Sequence, residues 1–330
     1  MNKFTLTLIF AFFVTISCFA QQEAQYTQFM ENKMILNPAY AGAREAPSAM
    51  IFYRNQWIGF DGAPQSYLAS FNSPIFGDRV GVGMSISRHG IGHTTNWTAN
   101  MAYSYKIPLS NDAALRLGIQ GAVRHWGYDF ANIVTTQAVG MDGSIPFGGD
   151  AKAFKGNFGV GAYFNTKKLY VGLSIPYLYS NTIGFSGLDL SAVEKQHFYF
   201  MAGTMFALNS KWDIKPAVLA KYVDNAPADL DLNVSFIYDK RFTFGPSYRL
   251  GGNGGGESVA IVLGFQANNQ LSVGLGYDFI ISQLRNASGG SNAGPNIGNG
   301  TNSNAGSLEL LLRYDLRGDQ EDITNVRFLY

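Results

Sequence analysis

The chain has little of what soluble enzymes and nucleic-acid-binding proteins usually contain. Its 330 residues include one cysteine, only 14% are charged, and the net charge is +1. Typical soluble domains carry about 25% charged residues. A single cysteine cannot form an intrachain disulfide or a thiolate metal cluster, and the absence of a basic excess argues against nucleic acid as a partner. The mean hydropathy of −0.02 also excludes a bundle of transmembrane helices.

A continuous apolar run occurs at the N-terminus. Lys3 provides a positive start, residues 6–16 form an apolar centre, and residues 18–20 (Cys-Phe-Ala) form a small-x-small cleavage site. The alternatives are an uncleaved anchor helix, for which the run is short, and a lipoprotein signal, which the residues before Cys18 match poorly. We expect residues 1–20 to be an export signal peptide and the mature chain, then free of cysteine, to start at Gln21.

Aromatic residues (14%) and 38 glycines are abundant, in runs where apolar residues stand at every second position. Residues 271–279 and 308–316 show this alternation over about ten residues, which predicts strands with one apolar and one polar face. Strands that cross a bilayer need about 9–11 residues. Such runs number fourteen, with 64–73 and 196–208 ambiguous: 49–57, 64–73, 79–89, 93–107, 112–126, 155–165, 168–176, 196–208, 211–222, 228–238, 240–250, 257–267, 269–281 and 305–316. We predict an all-β fold, a closed antiparallel barrel that crosses the outer membrane.

The connections between these runs provide a second test. Short ones (74–78, 108–111, 166–167, 209–210, 239–240 and 268–269) alternate with connections that include the long segments 127–154, 177–195 and 282–304. Outer-membrane barrels have short periplasmic turns and long outer loops. The alternation therefore predicts that both termini are periplasmic. Pro216 and Pro246, inside predicted strands, have no explanation from the sequence beyond a possible bulge.

The domain organisation follows from these runs. We expect a signal peptide at 1–20, a periplasmic N-terminal arm at 21–48, the barrel at 49–316 and a periplasmic tail at 317–330. Tyr26, Phe29 and Met30 have helical spacing, so the arm would form a short amphipathic turn. It would plug the barrel, dock to a partner, or be strapped down in the periplasm.

Charged residues on the polar faces are expected to point into the lumen. They either bind or conduct something, or form cross-strand ion pairs in a filled interior. Their neighbours are mainly Gly, Ser and Ala, which favours a lumen partly filled by loops or by the arm. The lumen-facing residues we select are Arg116, Arg124, Lys221, Arg249, Glu309, Arg313 and Asp315.

No catalytic or cofactor-binding motif has supporting context. His89 and His93 have the spacing of a zinc-protease helix, but glycines and no carboxylate lie between them. The glycine-rich stretch 251–256 is followed by a strand instead of a helix, so a phosphate-binding loop is not expected. We therefore predict no enzyme, no cofactor and no metal site.

Several stretches resemble a known family. They begin with Asn-Pro-Ala-Tyr-Ala-Gly at 37–42, Tyr-Arg-Asn-Gln-Trp at 53–57 and Gly-Phe-Asp-Gly-Ala-Pro at 59–64. Shorter matches follow in order at 81–83, 94–96, 221–223, 226–227, 231–233, 247–249, 263–266 and 312–315. Together they are similar to the PorP/SprF family, outer-membrane proteins of the type IX secretion and gliding-motility machinery of Bacteroidetes. The tail 317–330 departs from the pattern, because it continues past the last strand.

The resemblance implies a non-enzymatic barrel in outer-membrane lipid that engages the C-terminal sorting domain of secreted cargo such as adhesins. It also implies association with the lipoprotein and ring subunits of the secretion motor. We expect the outer loops to meet the cargo, and the arm and short turns to meet the motor. The expected partner-binding residues are Trp57, Phe60 and Asp61 on the first outer loop and Asn37, Pro38 and Tyr40 on the arm. The alternatives are an outer-membrane channel or uptake porin for small solutes, and a soluble secreted β protein.

Overall fold

The computed structural model describes residues 23, 25–44, 46–129, 151–184, 191–224, 226–251, 256–281 and 306–316. The expected signal peptide, Cys18 and the tail 317–330 lie outside these residues.

Fifteen strands form one antiparallel sheet that closes on itself. Neighbouring strands of the ring pair in chain order, the first pairs with the last, and the ring is completed by β10 (His197–Thr204) and β12 (Trp212–Val223). Because β11 (Phe206–Ala207) continues β10 along the same edge of β12, these two count as one strand of the ring. The prediction of a fourteen-stranded barrel is therefore confirmed. The strands of this sheet are β1 (Ser48–Asn55), β2 (Gln65–Ile75), β3 (Val80–Ile91), β4 (Thr94–Pro108), β5 (Ala113–Tyr128), β6 (Ala151–Thr166), β7 (Leu169–Ile175), β10 (His197–Thr204), β11 (Phe206–Ala207), β12 (Trp212–Val223), β13 (Asp229–Tyr238), β14 (Phe242–Leu250), β15 (Gly256–Gln266), β16 (Leu271–Ile280) and β17 (Ser307–Asp315).

The two faces of the barrel differ as the alternation predicts. On β17, Leu310 and Leu312 are each 44% exposed on the outside, whereas Glu309 and Asp315 are buried inside. On β4 and β5, Met101 and Ile119 are similarly exposed. Because the outward side chains are apolar, the exterior of the barrel is suited to lipid. Because every strand of the ring is paired on both sides, the barrel has no open edge.

Outward aromatic side chains gather near both ends of the strands, as in the interfacial girdles of membrane barrels. At one end they include Trp212, Tyr238, Phe242, Phe265 and Tyr314, and at the other Tyr67, Trp97, Phe198, Tyr222 and Phe279. Among the described residues, no helix is long and apolar enough to span a membrane.

The connections divide between the two ends almost as expected. One end, the short-turn end, carries the connections 76–79, 109–112, 167–168, 208–211, 239–241 and 267–270. At the other end, the long-loop end, the sequence between consecutive strands is 56–64, 92–93, 129–150, 176–196, 224–228, 251–255 and 281–306. Of these, 130–150, 185–190, 225, 252–255 and 282–305 lie outside the described residues. Residues 92–93 form a two-residue turn at the long-loop end, so the segregation of lengths has an exception. Which end faces the periplasm stays a prediction.

Pro216 and Pro246, the two prolines discussed from the sequence, each lie where one neighbouring strand is not paired. The gap between β10 and β11 falls beside Pro216, and Met205 turns inward at this gap and is buried. Likewise, the β13–β14 pairing is interrupted beside Pro246, where the Asn233 amide donates to the Pro246 carbonyl at 3.3 Å. A missing backbone N–H therefore interrupts one ladder locally without shifting its register.

A small hairpin was not predicted. It consists of β8 (Thr182–Gly184) and β9 (Ser191–Val193), which pair with each other in the connection after β7. Ile183 packs on the inward-facing Trp126 and Ala153. The hairpin therefore contacts the inner wall of the barrel at the long-loop end of the lumen.

Candidate functional site

The lumen is filled by the N-terminal segment 25–44, which we call the plug. It contains the 3-10 helices η1 (Phe29–Glu31) and η2 (Pro38–Tyr40) and the short helix α1 (Lys33–Leu36). Glu23, just before it, pairs with Arg124 toward the long-loop end, and Arg44 pairs with Asp315 at the short-turn end. The segment thus runs the length of the lumen before entering β1. In this structure the segment lies inside the barrel, which agrees with the plug among the three alternatives; a docked arm and an arm strapped down in the periplasm were the other two.

Inward-facing glycines make room for the plug. A Cβ at Gly118 would lie 2.6 Å from the Pro38 carbonyl carbon and closer still to the Ala39 backbone. A Cβ at Gly161 would lie 3.0 Å from the Asn37 Cγ. The same holds at Gly81 and Gly83, where a Cβ would collide with Ala41 and Met34. The small residues of the polar faces therefore form sockets for the plug.

The Asn-Pro-Ala-Tyr-Ala-Gly stretch fixes the middle of the plug to the barrel wall. The Asn37 amide donates to the carbonyls of Ala162 (3.0 Å) and Leu173 (3.3 Å), and its Oδ1 accepts from the Ala39 N–H at 2.9 Å. Ser104 donates to the Ala41 carbonyl at 2.7 Å. Asn37, Pro38 and Tyr40, expected on the arm as partner-binding residues, are buried here, so they do not offer a partner a free surface in this conformation.

A buried charge cluster joins the start of the plug to three strands. Arg54 pairs with Asp278 at 2.8 Å and also with Glu309. Glu309 accepts hydrogen bonds from the backbone N–H groups of Thr27 (2.7 Å) and Gln28 (3.0 Å). The Thr27 hydroxyl accepts from Arg54 and donates to Asp278. All three wall charges are thus satisfied partly by the plug, which a buried ion pair needs in order to be stable.

A second cluster lies nearer the short-turn end. Glu31 of η1 pairs with Lys215 at 3.5 Å and with Arg313. Lys33 of α1 lies over the Tyr170 ring, with Nζ 4.0 Å from the ring centroid. These contacts hold η1 and α1 against the barrel wall.

The predicted lumen-facing residues all lie on inward strand positions. Arg116 is buried and donates weakly to the Asp78 carbonyl at 3.5 Å. Asp231 bridges Lys221 (2.7 Å) and Arg249 (2.5 Å). Of the two readings of these charges, the structure shows ion pairing in a filled interior. The other predicted residues form these ion pairs: Arg124 with Glu23 and Glu194, Glu309 with Arg54, Arg313 with Glu31, and Asp315 with Arg44.

Sequence reasoning missed Arg54 and the plug's own contribution to these clusters. Arg54 has the inward parity of Phe52 on β1, so the alternation could have identified it. Nothing in the sequence indicated that Thr27, Gln28 and Glu31 would meet the wall, because the contacts join residues more than 180 positions apart.

Above the plug, at the long-loop end, a cavity of about 320 Å³ remains, which we call the vestibule. Arg124 projects into its side, between the rings of Tyr177 (4.4 Å to the centroid) and Trp126 (5.1 Å). Glu194, after β9, pairs with Arg124. Burial raises the pKa of the Glu194 carboxyl above its ordinary value, and Arg124 offsets this only in part.

The loop 56–64, between β1 and β2, is braced against its neighbours at the same end. The Ile58 N–H donates to the Gly306 carbonyl at 2.8 Å, and the Trp57 N–H to Ser307 Oγ at 3.4 Å. Trp57 has a left-handed backbone (φ 55°), a strained conformation for a bulky residue. Trp57 and Phe60 are half-buried, and Asp61 is exposed. The structure brings these three residues together on one loop, apart from Asn37, Pro38 and Tyr40.

Residues 18–292 match the family described as "Type IX secretion system membrane protein PorP/SprF". No curated protein matches the chain. The family match and the closed barrel with its lipid-facing exterior together identify this protein as an outer-membrane β-barrel.

Similar solved structures are barrels of low sequence identity. A FadL homologue of Pseudomonas aeruginosa is 14% identical with a TM-score of 0.43, over 85% of this chain and 93% of that one. The CymD monoaromatic hydrocarbon channel is 10% identical with a TM-score of 0.48, over 88% and 92%. A TodX mutant, also a monoaromatic hydrocarbon channel, is 8% identical with a TM-score of 0.47, over 86% and 94%. Likeness at this level says nothing of what this chain binds.

Proposed function

Because the chain belongs to the PorP/SprF family of type IX secretion system membrane proteins, we propose that it is a non-enzymatic component that engages both secreted cargo and the secretion motor. The C-terminal sorting domain of a secreted protein, such as a gliding adhesin, would bind at the long-loop end. Lipoprotein and ring subunits of the motor would bind at the short-turn end. The single observation that carries this proposal over the channel alternative is the plugged lumen.

The plug supports a docking role over free conduction. Residues 25–44 occupy the lumen, and ion pairs fix the segment at both ends, through Arg44 and through Glu23 just before the plug. An open porin needs a continuous water-filled passage. The barrel wall therefore serves as a membrane anchor with two presenting ends, and solute uptake is the weaker candidate.

Braced apolar residues at each end support partner contacts. At the long-loop end, Trp57 is held on a strained, hydrogen-bonded loop, and preorganised aromatic residues are typical interface anchors. At the short-turn end, Phe76 is 83% exposed and Leu109 and Leu208 are also exposed on turns. Apolar turn tips of this kind fit a partner or the membrane interface.

The experiment is a detergent pull-down of the tagged chain, with the co-purifying proteins identified by mass spectrometry. We expect a secreted protein with a sorting domain and subunits of the motor. The variant Trp57→Ala should lose the cargo and keep the motor, whereas Phe76→Ala should weaken the motor contact. Trp212→Ala, at an exposed aromatic on the outside wall, is the control and should keep both. Recovery of the chain alone, together with a steady large conductance in a planar bilayer, would favour the channel instead.

A further inference from the structure

We propose that the vestibule is a binding site for a neutral carbohydrate of one or two sugar rings. The cavity of about 320 Å³ lies at the long-loop end, between the plug and the inner faces of β3, β4 and β5. This volume is at the lower end of the roughly 300–1,000 Å³ of small-molecule sites. The inference does not depend on the proposed role in secretion.

One wall is a ladder of hydroxyl and amide groups with spare hydrogen-bonding capacity. Among the described residues, the side chains of Ser87 and Thr94 make no hydrogen bond, and Asn96 uses only its Oδ1, which accepts from Thr98 at 3.4 Å. The Asn96 amide group therefore keeps both N–H donors for a ligand. A surface that both donates and accepts matches sugar hydroxyls, which also do both. The wall consists of Ser85, Ser87, Thr94, Asn96, Thr98 and Asn100.

His197 of β10 supplies a buried acceptor in the same cavity. It is 6% exposed, and its Nδ1 lies 2.9 Å from the Lys195 carbonyl oxygen. A carbonyl only accepts, so Nδ1 is the donor, and in the neutral ring Nε2 is then an acceptor. Nε2 has no hydrogen-bond partner among the described residues. A buried polar atom without a partner is costly, and a ligand hydroxyl would satisfy it.

Aromatic side chains line the rest of the cavity. They are Tyr26, Trp126, Tyr177 and Tyr199, and Trp126 is the direct cross-strand neighbour of Asn96. The site thus places an apolar ring surface next to an amide. Sugar rings have an apolar C–H face and a polar hydroxyl edge, which suits this pairing of walls.

The charges of the site favour a neutral ligand over an ionic one. The Arg124 guanidinium is already shared by Glu23 (2.7 Å) and Glu194 and covered by two rings. An anionic peptide or acidic sugar would meet these two carboxylates, and a cation would compete with Arg124 for them. Lys195 also lines the cavity; among the described residues it has no carboxylate partner, and its Nζ donates to the Asp224 carbonyl at 3.1 Å. An anion would have to replace that contact while it faced the two carboxylates, which favours a neutral ligand.

The test is a printed array of neutral and acidic glycans, probed with the full chain in detergent, followed by calorimetric titration of the strongest neutral hit. Asn96→Ala and His197→Phe should each weaken binding roughly 3- to 10-fold, the effect of losing one hydrogen bond. Trp97→Ala is the matched control, because Trp97 is next to Asn96 but exposed on the outside. Barrel integrity is checked for every variant by heat-modifiable migration.

The site would be supported if the Trp97→Ala variant kept the binding of a neutral glycan and the Asn96→Ala and His197→Phe variants bound it more weakly. Comparing the free saccharide with phosphatidylethanolamine vesicles that carry lipopolysaccharide distinguishes a free from a lipid-linked source. Absence of any neutral glycan hit, a preference for acidic glycans, or equal binding by Asn96→Ala and the unaltered chain would overturn the inference.

Discussion

Replacing Gly118 by alanine tests whether the plug is seated on inward glycines. A Cβ there would lie 2.6 Å from the Pro38 carbonyl carbon, against 3.4–4 Å for ordinary contact, and would also meet the backbone of Ala39. The neighbour is backbone held by Asn37 and Ser104, so it cannot swing aside as a side chain would. Overpacking of this kind costs about 1–3 kcal/mol.

The control is Gly121→Ala on the same strand, because a Cβ at Gly121 meets nothing within 4 Å. The assay is hydrogen exchange of the plug amides of Tyr40 and Ala41, which donate to the carbonyls of Asn37 and Pro38. A loss of about 1–3 kcal/mol should raise their exchange rates roughly 5- to 150-fold in Gly118→Ala. The exchange of strand amides should stay unchanged in both variants. Equal plug exchange in the two variants would refute the seating on glycines.

Three further predictions follow from the same geometry. Glu309→Gln removes the carboxylate that pairs with Arg54 and accepts from the Thr27 N–H of the plug, so it should lower the free energy of unfolding by about 3–5 kcal/mol in thermal unfolding. The control is Asp112→Asn, which breaks the exposed pair with Lys167 and should change the free energy of unfolding by less than about 1 kcal/mol. Gly42→Ala should undock the plug in a proteolysis assay, because its Cβ meets the Gly81 backbone, whereas Gly77→Ala, with a similar φ (66° and 63°) but open space, should leave the plug docked. Trp57→Ala should leave the barrel assembled but lower the surface level of cargo in whole-cell labelling, and an unchanged level would remove Trp57 from the cargo site.

The barrel could be predicted because its alternation is enforced from both sides. Lipid requires apolar side chains outside and the lumen takes mainly small or polar ones inside, so runs such as 308–316 alternate. Leu311 is the exception in that run, because it faces inward and packs in one cluster with Tyr26 of the plug. The ambiguous run 196–208 shows where this fails. Met205 keeps the inward parity of Met201 but lies in the gap between β10 and β11, where the pairing with β12 is interrupted. Alternation reports which face a residue occupies and not whether its backbone is paired. The hairpin β8–β9 is too short to show a period.

The plug could be predicted only in outline. Small residues on the inward faces indicated that something fills the lumen, but not which segment. The seating depends on pairs distant in the chain, such as Asn37 against Gly161 and Thr27 against Glu309. Periodicity reports which face a residue occupies and carries no information on its partner across the lumen. For that reason Asn37, Pro38 and Tyr40 were expected at a partner surface, whereas the structure buries them.

The central claim, a closed barrel blocked by its own N-terminal segment, is tested most directly by planar-bilayer conductance. The full chain should show no steady large conductance, and a variant lacking residues 25–44 that still migrates as a folded barrel should conduct steadily. A large, steady conductance from the full chain, equal to that of the variant, would contradict the account.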